Sequence, residues 1–173
     1  MPIPVAIQPF TKIDWPVIAA IYKEGIATGI ATFETKVPRW EDWDAAHIQS
    51  CRIAALYKNK IVGWAALSPV SKREVYKGVA EVSIYITSKF RGKVIGRLLL
   101  STLIAQSEQN GFWTLQAGIF RENNKSITLH TDLGFRKIGY REKVGKLNQV
   151  WYDNILLEKR SKKINNHINI THP

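Results

Sequence analysis

Cysteine is almost absent from this chain: Cys51 stands alone among 173 residues. A single cysteine excludes an internal disulfide and fits a reducing compartment. Its place beside Arg52, at the start of an apolar run, reads as the edge of a core rather than as a nucleophile. Long apolar runs are also missing. No stretch approaches the roughly 18 residues that suggest a membrane helix, and Met1-Pro2-Ile3-Pro4 lacks the basic-then-apolar layout of a signal peptide. A soluble, cytoplasmic chain without a membrane partner is expected. Acidic residues are scarce, 14 against 25 lysines and arginines, which leaves a net charge of +11. No Cys/His spacing suited to a metal and no RNA-binding signature accompanies that charge, so neither a metal nor nucleic acid is expected. The cations are spread over Lys58 and Lys60, Lys72 to Lys77, Lys89 to Arg97, and Lys159 to Lys163. A cofactor carrying several phosphates is the alternative user of that field.

What is present describes one globular domain. Hydrophobic residues make up 45% of the chain and there are six tryptophans, which is enough to build a core. Residues 1–160 read as the domain, and 161–173 as a basic, polar tail with little apolar surface, a candidate for disorder. Strands are predicted over Val5–Pro9, Arg52–Tyr57, Ile61–Leu67, Val79–Thr87, Trp113–Phe120, Phe135–Tyr140 and Gln149–Leu157, the last two flanking a polar loop. Helices are predicted from about Trp15 to Ile26, in a short piece holding Trp40, Trp43 and Ile48, from Val94 to Asn110, and from Asn123 to Leu133. Gly111 and Gly134 supply the stops of the last two. The class is mixed α/β, with a central, largely antiparallel sheet flanked by helices.

The chain is organised around residues 79–100. Val79, Glu81, Ser83 and Tyr85 alternate with Ala80, Val82, Ile84 and Ile86, a period of two that argues for a strand. Arg91-Gly92-Lys93 is a basic turn, and Ile95-Gly96-Arg97-Leu98 opens an apolar helix. Strand, Gly-containing turn and helix start together suit an anion site, because unpaired N–H groups and the helix dipole face the turn; the alternative is an ordinary strand-to-helix connection with solvated cations.

The run Arg91-Gly92-Lys93-Val94-Ile95-Gly96 resembles the pyrophosphate loop of the GCN5-related N-acetyltransferase (GNAT) superfamily, Arg/Gln-x-x-Gly-x-Gly/Ala. Asn123-Asn124-Lys125-Ser126 and Leu129-His130 through Gly134-Phe135 are similar to its next segment. Ile21 to Thr28, Ala31 to Glu34, Ser68 to Ser71 and Val75-Tyr76 are similar to its phosphinothricin and methionine sulfoximine acetyltransferase branch. The resemblance runs from about residue 3 to 158. One residue departs from it: the first loop glycine is Val94 here. A position needing φ > 0 would strain that β-branched side chain.

The resemblance implies an acetyltransferase fold in which the fourth and fifth strands splay apart around the cofactor's pantetheine arm. It implies acetyl-CoA as co-substrate, a small-molecule amine as acceptor, and a homodimer. Glu81 falls at the family's catalytic glutamate and His130 where many relatives carry the tyrosine that protonates the leaving thiolate. Ile84, Tyr85 and Ile86 fall on the pantetheine segment. Gly92, Lys93, Val94, Ile95, Gly96 and Arg97 would cradle the pyrophosphate, flanked by Arg91. Asn123 would hydrogen-bond the pantetheine, and Ser126 would cap its helix or reach the cofactor. Phe33, Glu34 and Thr35 match a loop over the acceptor, and Arg73 and Tyr76 a segment that contacts it. The implied reaction is direct acetyl transfer to an amino-acid analogue such as phosphinothricin or methionine sulfoximine. The alternatives are another amine, such as a polyamine or protein N-terminus, and a CoA-binding relative without catalysis. A polyamine would want an acidic pocket, and this chain is poor in acidic clusters.

Overall fold

A computed structural model describes residues 4–92 and 94–164. Lys93 and the tail residues 165–173 lie outside them, so the expectations placed there stay as expectations. A seven-stranded sheet carries the fold, in the order β1-β2-β3-β4-β5-β7-β6. The strands are β1 (Val5–Pro9), β2 (Arg52–Tyr57), β3 (Lys60–Pro69), β4 (Val79–Ile86), β5 (Thr114–Phe120), β6 (Arg136–Leu147) and β7 (Val150–Arg160). Every neighbouring pair is antiparallel except β4 and β5. The helices are α1 (Trp15–Ile26), α2 (Trp40–Ala46), α3 (Ile95–Gln109) and α4 (Asn124–Asp132).

The alternation read from the sequence sorts the two faces. Ala80, Val82, Ile84 and Ile86 join the core under α3 and α4, with Leu99, Leu100, Leu103 and Ile127. Tyr85 joins the second core under α1 and α2, with Ile18, Tyr22, Trp43 and Trp64. Leu99 and Leu103 recur at helical spacing and are fully buried, each contributing about 1.5–3 kcal/mol by leaving water. Arg52 is buried between the layers, pairing with Asp44 and donating to the Asp44 and His47 carbonyls at 2.9 and 2.7 Å. It thereby fastens the end of α2 to the start of β2, and Cys51 beside it is fully buried.

Two hairpins turn on left-handed pairs. Lys58 and Asn59 (φ 48° and 60°) join β2 to β3, and Asn148 and Gln149 (φ 47° and 69°) join β6 to β7. Two positive-φ residues in succession make the turn twist with its strands. The second turn corrects the sequence reading: the polar loop between the last strands is mostly strand, because β6 continues to Leu147 past an irregularity between Arg141 and Gly145. Ile48 likewise lies beyond α2, which stops at Ala46. Helices α3 and α4 do end before Gly111 (φ 83°) and Gly134 (φ 88°). The first tail residues are packed: Ser161 is buried and donates to Glu108 at 2.8 Å, and Lys163 pairs with the same carboxylate.

Candidate active site

β4 and β5 are in register only at Val79–Thr114, Ala80–Leu115 and Glu81–Gln116. Their near ends are pinned there. The Trp113 ring lies where a Gly78 side chain would begin, 2.1 Å away, and the N–H groups of Trp113 and Thr114 both donate to Gly78 O. Past Glu81 the strands part, and a cleft of about 300 Å³ opens between them. It reaches both faces of the sheet. Glu81, Ser83 and Tyr85 line it from the α1 side, and Val82, Ile84, Ser126 and His130 from the α4 side. The backbone edges of the two strands face each other across the split without pairing, so their amide groups are available to a bound chain.

Glu81 is an exposed residue that lines the cleft. Loss of hydration between the cleft walls pushes its carboxyl pKa above the ordinary value. The Gly118 backbone N–H and the charge of Arg141 pull the other way without cancelling it. A carboxylate with a raised pKa is a better proton acceptor near neutral pH. His130 is 2% exposed, and its Nδ1 lies 2.8 Å from Ser126 O. A carbonyl only accepts, so Nδ1 carries the proton and Nε2 carries a lone pair. That Nε2 is buried with no hydrogen-bond partner among the described residues, and burial lowers the pKa of the ring. The ring is therefore neutral at pH 7 and presents an acceptor at a residue lining the cleft.

Over the α1 side lies residues 27–39, which hold Phe33 and Glu34. Phe33 packs on Phe120 at a tilt, with ring centroids 4.4 Å apart, and sits where a Gly145 side chain would begin. Thr32 shares a hydrogen-bonded cluster with the Tyr22 and Tyr85 hydroxyls, whose pKa values burial raises. Tyr85 thus contributes its backbone and its hydroxyl end to the cleft while its ring packs on Trp64 and Tyr22.

The loop before α3 contains the feature that made Val94 a concern. Its left-handed residue is Gly92 (φ 72°), while Val94 sits at φ −62° and begins the helix without strain. Leu98 N donates to Val94 O at 3.0 Å, leaving the N–H groups of Ile95, Gly96 and Arg97 as the open first turn of α3. A Cβ on Gly96 would come within 3.2 Å of both Ile86 and Leu129, so glycine lets this turn approach the end of β4. A turn of that kind fits a pyrophosphate. Arg91 Nε donates to Ile86 O at 2.9 Å, tying the loop to the same strand end. Glu24 of α1 accepts from Thr87 Oγ1 and Ser88 N at 2.8 and 2.6 Å and holds the loop from the other side. Arg97 already pairs with Asp132 at 2.9 Å.

Of the residues expected to share a site, Glu81, His130, Ile84, Tyr85, Phe33, Glu34, Asn123 and Ser126 line one cleft. Thr35 and Ile86 lie outside its lining. Asn123 also has partners within the chain. Its Oδ1 caps α4 by accepting from Ser126 N at 3.2 Å, and its Nδ2 donates to Ile30 O at 3.3 Å. The cap of α4 is therefore Asn123 and not Ser126. Arg73 and Tyr76 are stacked on each other, 5.5 Å from guanidinium to ring centroid, on the exposed segment before β4 and outside the lining. Sequence reasoning missed Gly118 and Asn154, which also line the cleft. A polar Asp153-Asn154 pair within an apolar strand was the available signal.

A family model for the Acetyltransferase (GNAT) domain matches residues 17–156. The phosphinothricin N-acetyltransferase of Alcaligenes faecalis is 32% identical over 152 residues, 84% of this chain and 77% of that protein. The L-methionine sulfoximine/L-methionine sulfone acetyltransferase of Pseudomonas aeruginosa is 31% identical over 146 residues, 81% and 85% of the respective chains. A phosphinothricin acetyltransferase from Sinorhizobium meliloti, solved with acetyl-CoA, superposes with a TM-score of 0.81 at 26% identity, covering 94% of this chain and 96% of its own. With the split sheet, the glycine turn at α3 and the cleft between β4 and β5, these likenesses identify the chain as an acetyl-CoA-dependent acetyltransferase belonging to the GNAT family.

Proposed function

We propose that this acetyltransferase moves the acetyl group of acetyl-CoA directly to the α-amine of a small amino-acid analogue with an anionic or strongly polar far end, of the phosphinothricin and methionine sulfoximine class. The observation that carries the reading is the meeting of Glu81 and His130 through one split in the sheet, the carboxylate from one face and the imidazole from the other. The amine enters on the Glu81 side and loses its proton to that carboxylate, directly or through water. Its lone pair attacks the thioester carbonyl, whose oxygen is stabilised by backbone N–H groups along the open edge of β4. The carbon–sulfur bond then breaks. The attacking nitrogen sheds its second proton as the intermediate collapses, and the neutral Nε2 of His130, on the thiolate's side, can take up that proton, through water, and pass it to sulfur. Direct transfer is favoured by the position of Cys51, which is sealed in the core and cannot serve as an acyl carrier.

The pyrophosphate is assigned to Gly92 and Val94 through Arg97, with Arg91 bracing the loop, and the pantetheine to the backbone of Ile84 to Ile86. Arg73 and Tyr76 are assigned to the far end of the acceptor, reached when the segment that leads into β4 turns toward the cleft mouth. A cytoplasmic homodimer completes the proposal. Its support is the outer strand β6 and its hairpin partner, which expose Ile138, Tyr140, Val150 and Trp151.

The test is an acetyl-CoA consumption screen over amino acids, their sulfone, sulfoximine and phosphinate analogues, polyamines and short peptides. The analogues should turn over fastest. Spermidine outcompeting every one of them would overturn the acceptor class.

A further inference from the structure

Asn154 and Arg141 have no part in the transfer described above, yet both stand on the acceptor's side of the sheet. Moving outward from β4, one face carries Glu81, then Gly118 on β5, Asn154 on β7 and Arg141 on β6. Glu81 is opposite Gln116, Phe120 opposite Asn154, and Asn154 opposite Arg141, while Gln116, Gly118 and Phe120 alternate on the same side of β5. Gly118 leaves a gap in that row. A side chain begun there would lie 3.7 Å from Glu81 Oε1 and 3.5 Å from Asn154 Nδ2, so a carboxylate and an amide border one small space.

Neither Asn154 nor Arg141 is occupied elsewhere. Asn154 Oδ1 is buried with no hydrogen-bond partner among the described residues. Arg52, Arg97, Arg121 and Arg136 each pair with a carboxylate, whereas Arg141 forms no salt bridge with any described residue. The amide atom that borders the gap is the donor Nδ2, so Asn154 and the exposed Arg141 both offer N–H groups, which suit an anion. Neighbouring strands lie about 4.8 Å apart, a span that these two side chains can close around one carboxylate.

We propose that Asn154 and Arg141 are the amino-acid clamp of the acceptor site: with the α-amine at Glu81, the Asn154 Nδ2 amide and the Arg141 guanidinium together take the α-carboxylate. The assignment rests on the acceptor class proposed above and deepens it. It divides the acceptor between two cations, Arg141 for the α-carboxylate and Arg73 for the far end. An amine lacking the α-carboxylate forfeits the first contact and keeps the second.

The experiment compares methionine sulfone with its decarboxylated amine in steady-state kinetics. Asn154→Ala should raise the KM for methionine sulfone about tenfold while the KM for acetyl-CoA holds. Arg141→Gln should raise the KM for methionine sulfone about tenfold and leave that for the decarboxylated amine within about twofold. Should Asn154→Ala fail to fold, Gly118→Ala reads the same half of the clamp, since its methyl enters the gap at ordinary contact distances; it should also raise the acceptor KM alone. A wild-type protein that acetylates no α-amino acid analogue removes the acceptor class and this assignment together. A wild-type protein that acetylates methionine sulfone, with variants that keep its KM, removes this assignment alone. Equal losses for both substrates in Arg141→Gln would also overturn it.

Discussion

Replacing Glu81 by glutamine separates its charge from its shape. The amide is close to isosteric with the carboxylate, and its oxygen can still face the Gly118 N–H, so the cleft should keep its form. What disappears is the group able to take a proton from the acceptor ammonium. Loss of a positioned general base costs about 10²–10⁴ in rate, which corresponds to about 2.7–5.5 kcal/mol at 1.36 kcal/mol per tenfold. The loss should fall on kcat and leave the KM for acetyl-CoA unchanged, because the cofactor contacts lie on other residues. Its pH dependence is specific. Glu81 must be ionised to act, so the acid limb of the wild-type kcat/KM profile should lie above the ordinary carboxylate range, as its raised pKa requires. Glu81→Gln should lose that limb, and its deficit should shrink in alkaline buffer as free amine becomes abundant. A second measurement checks the same shift by linkage. A folded-state pKa above the unfolded value contributes stability that is fully present below the unfolded pKa and is lost as pH rises through the folded pKa. Wild type should therefore lose melting temperature relative to Glu81→Gln as pH climbs through that window. Wild-type activity in Glu81→Gln at pH 7 would refute the assignment.

Four further changes test the frame around that residue. His130→Gln removes the Nε2 lone pair, and kcat should fall by about 10²-fold with little change in either KM, read by thiol release. Gly92→Ala forces a side chain into a left-handed backbone (φ 72°); it should cost about 1–2 kcal/mol in a thermal melt and raise the KM for acetyl-CoA, while Val94→Gly should leave that KM within about twofold. Arg73→Ala should weaken methionine sulfone acetylation through KM by about ten- to a hundredfold, the loss of a charge-assisted pair worth about 1.5–3 kcal/mol, and the effect should persist with the decarboxylated amine. Leu99→Ala empties a fully buried site against Gly63 and should lower the unfolding free energy by about 2–5 kcal/mol in urea.

Much of this protein was legible in its sequence because the deciding interactions are local. The alternation through Glu81 and Tyr85 names the two faces of β4, since side chains along a strand can only alternate. Gly111 and Gly134 end α3 and α4 because a left-handed residue closes a helix whatever surrounds it. The motifs around Gly92, Asn123 and His130 carried the family and the strand pair that splays, because that geometry travels with the glycine turn and the helix it starts.

Other features belong to the folded chain alone. Strand order places β7 between β5 and β6, so Asn154 and Arg141 reach the face of Glu81 although about sixty to seventy residues of chain intervene, and no period in the sequence records that. The chain brings Ile30, 93 residues away, to the Asn123 amide, a contact no local pattern records. Val94 reads as strained until the backbone puts the left-handed turn two residues earlier, at Gly92. Tertiary packing decides which polar atoms are left without partners, because pairing depends on every group within reach. Asn154 Oδ1 and His130 Nε2 are left without partners by that packing, and the sequence could name the residues but not that state.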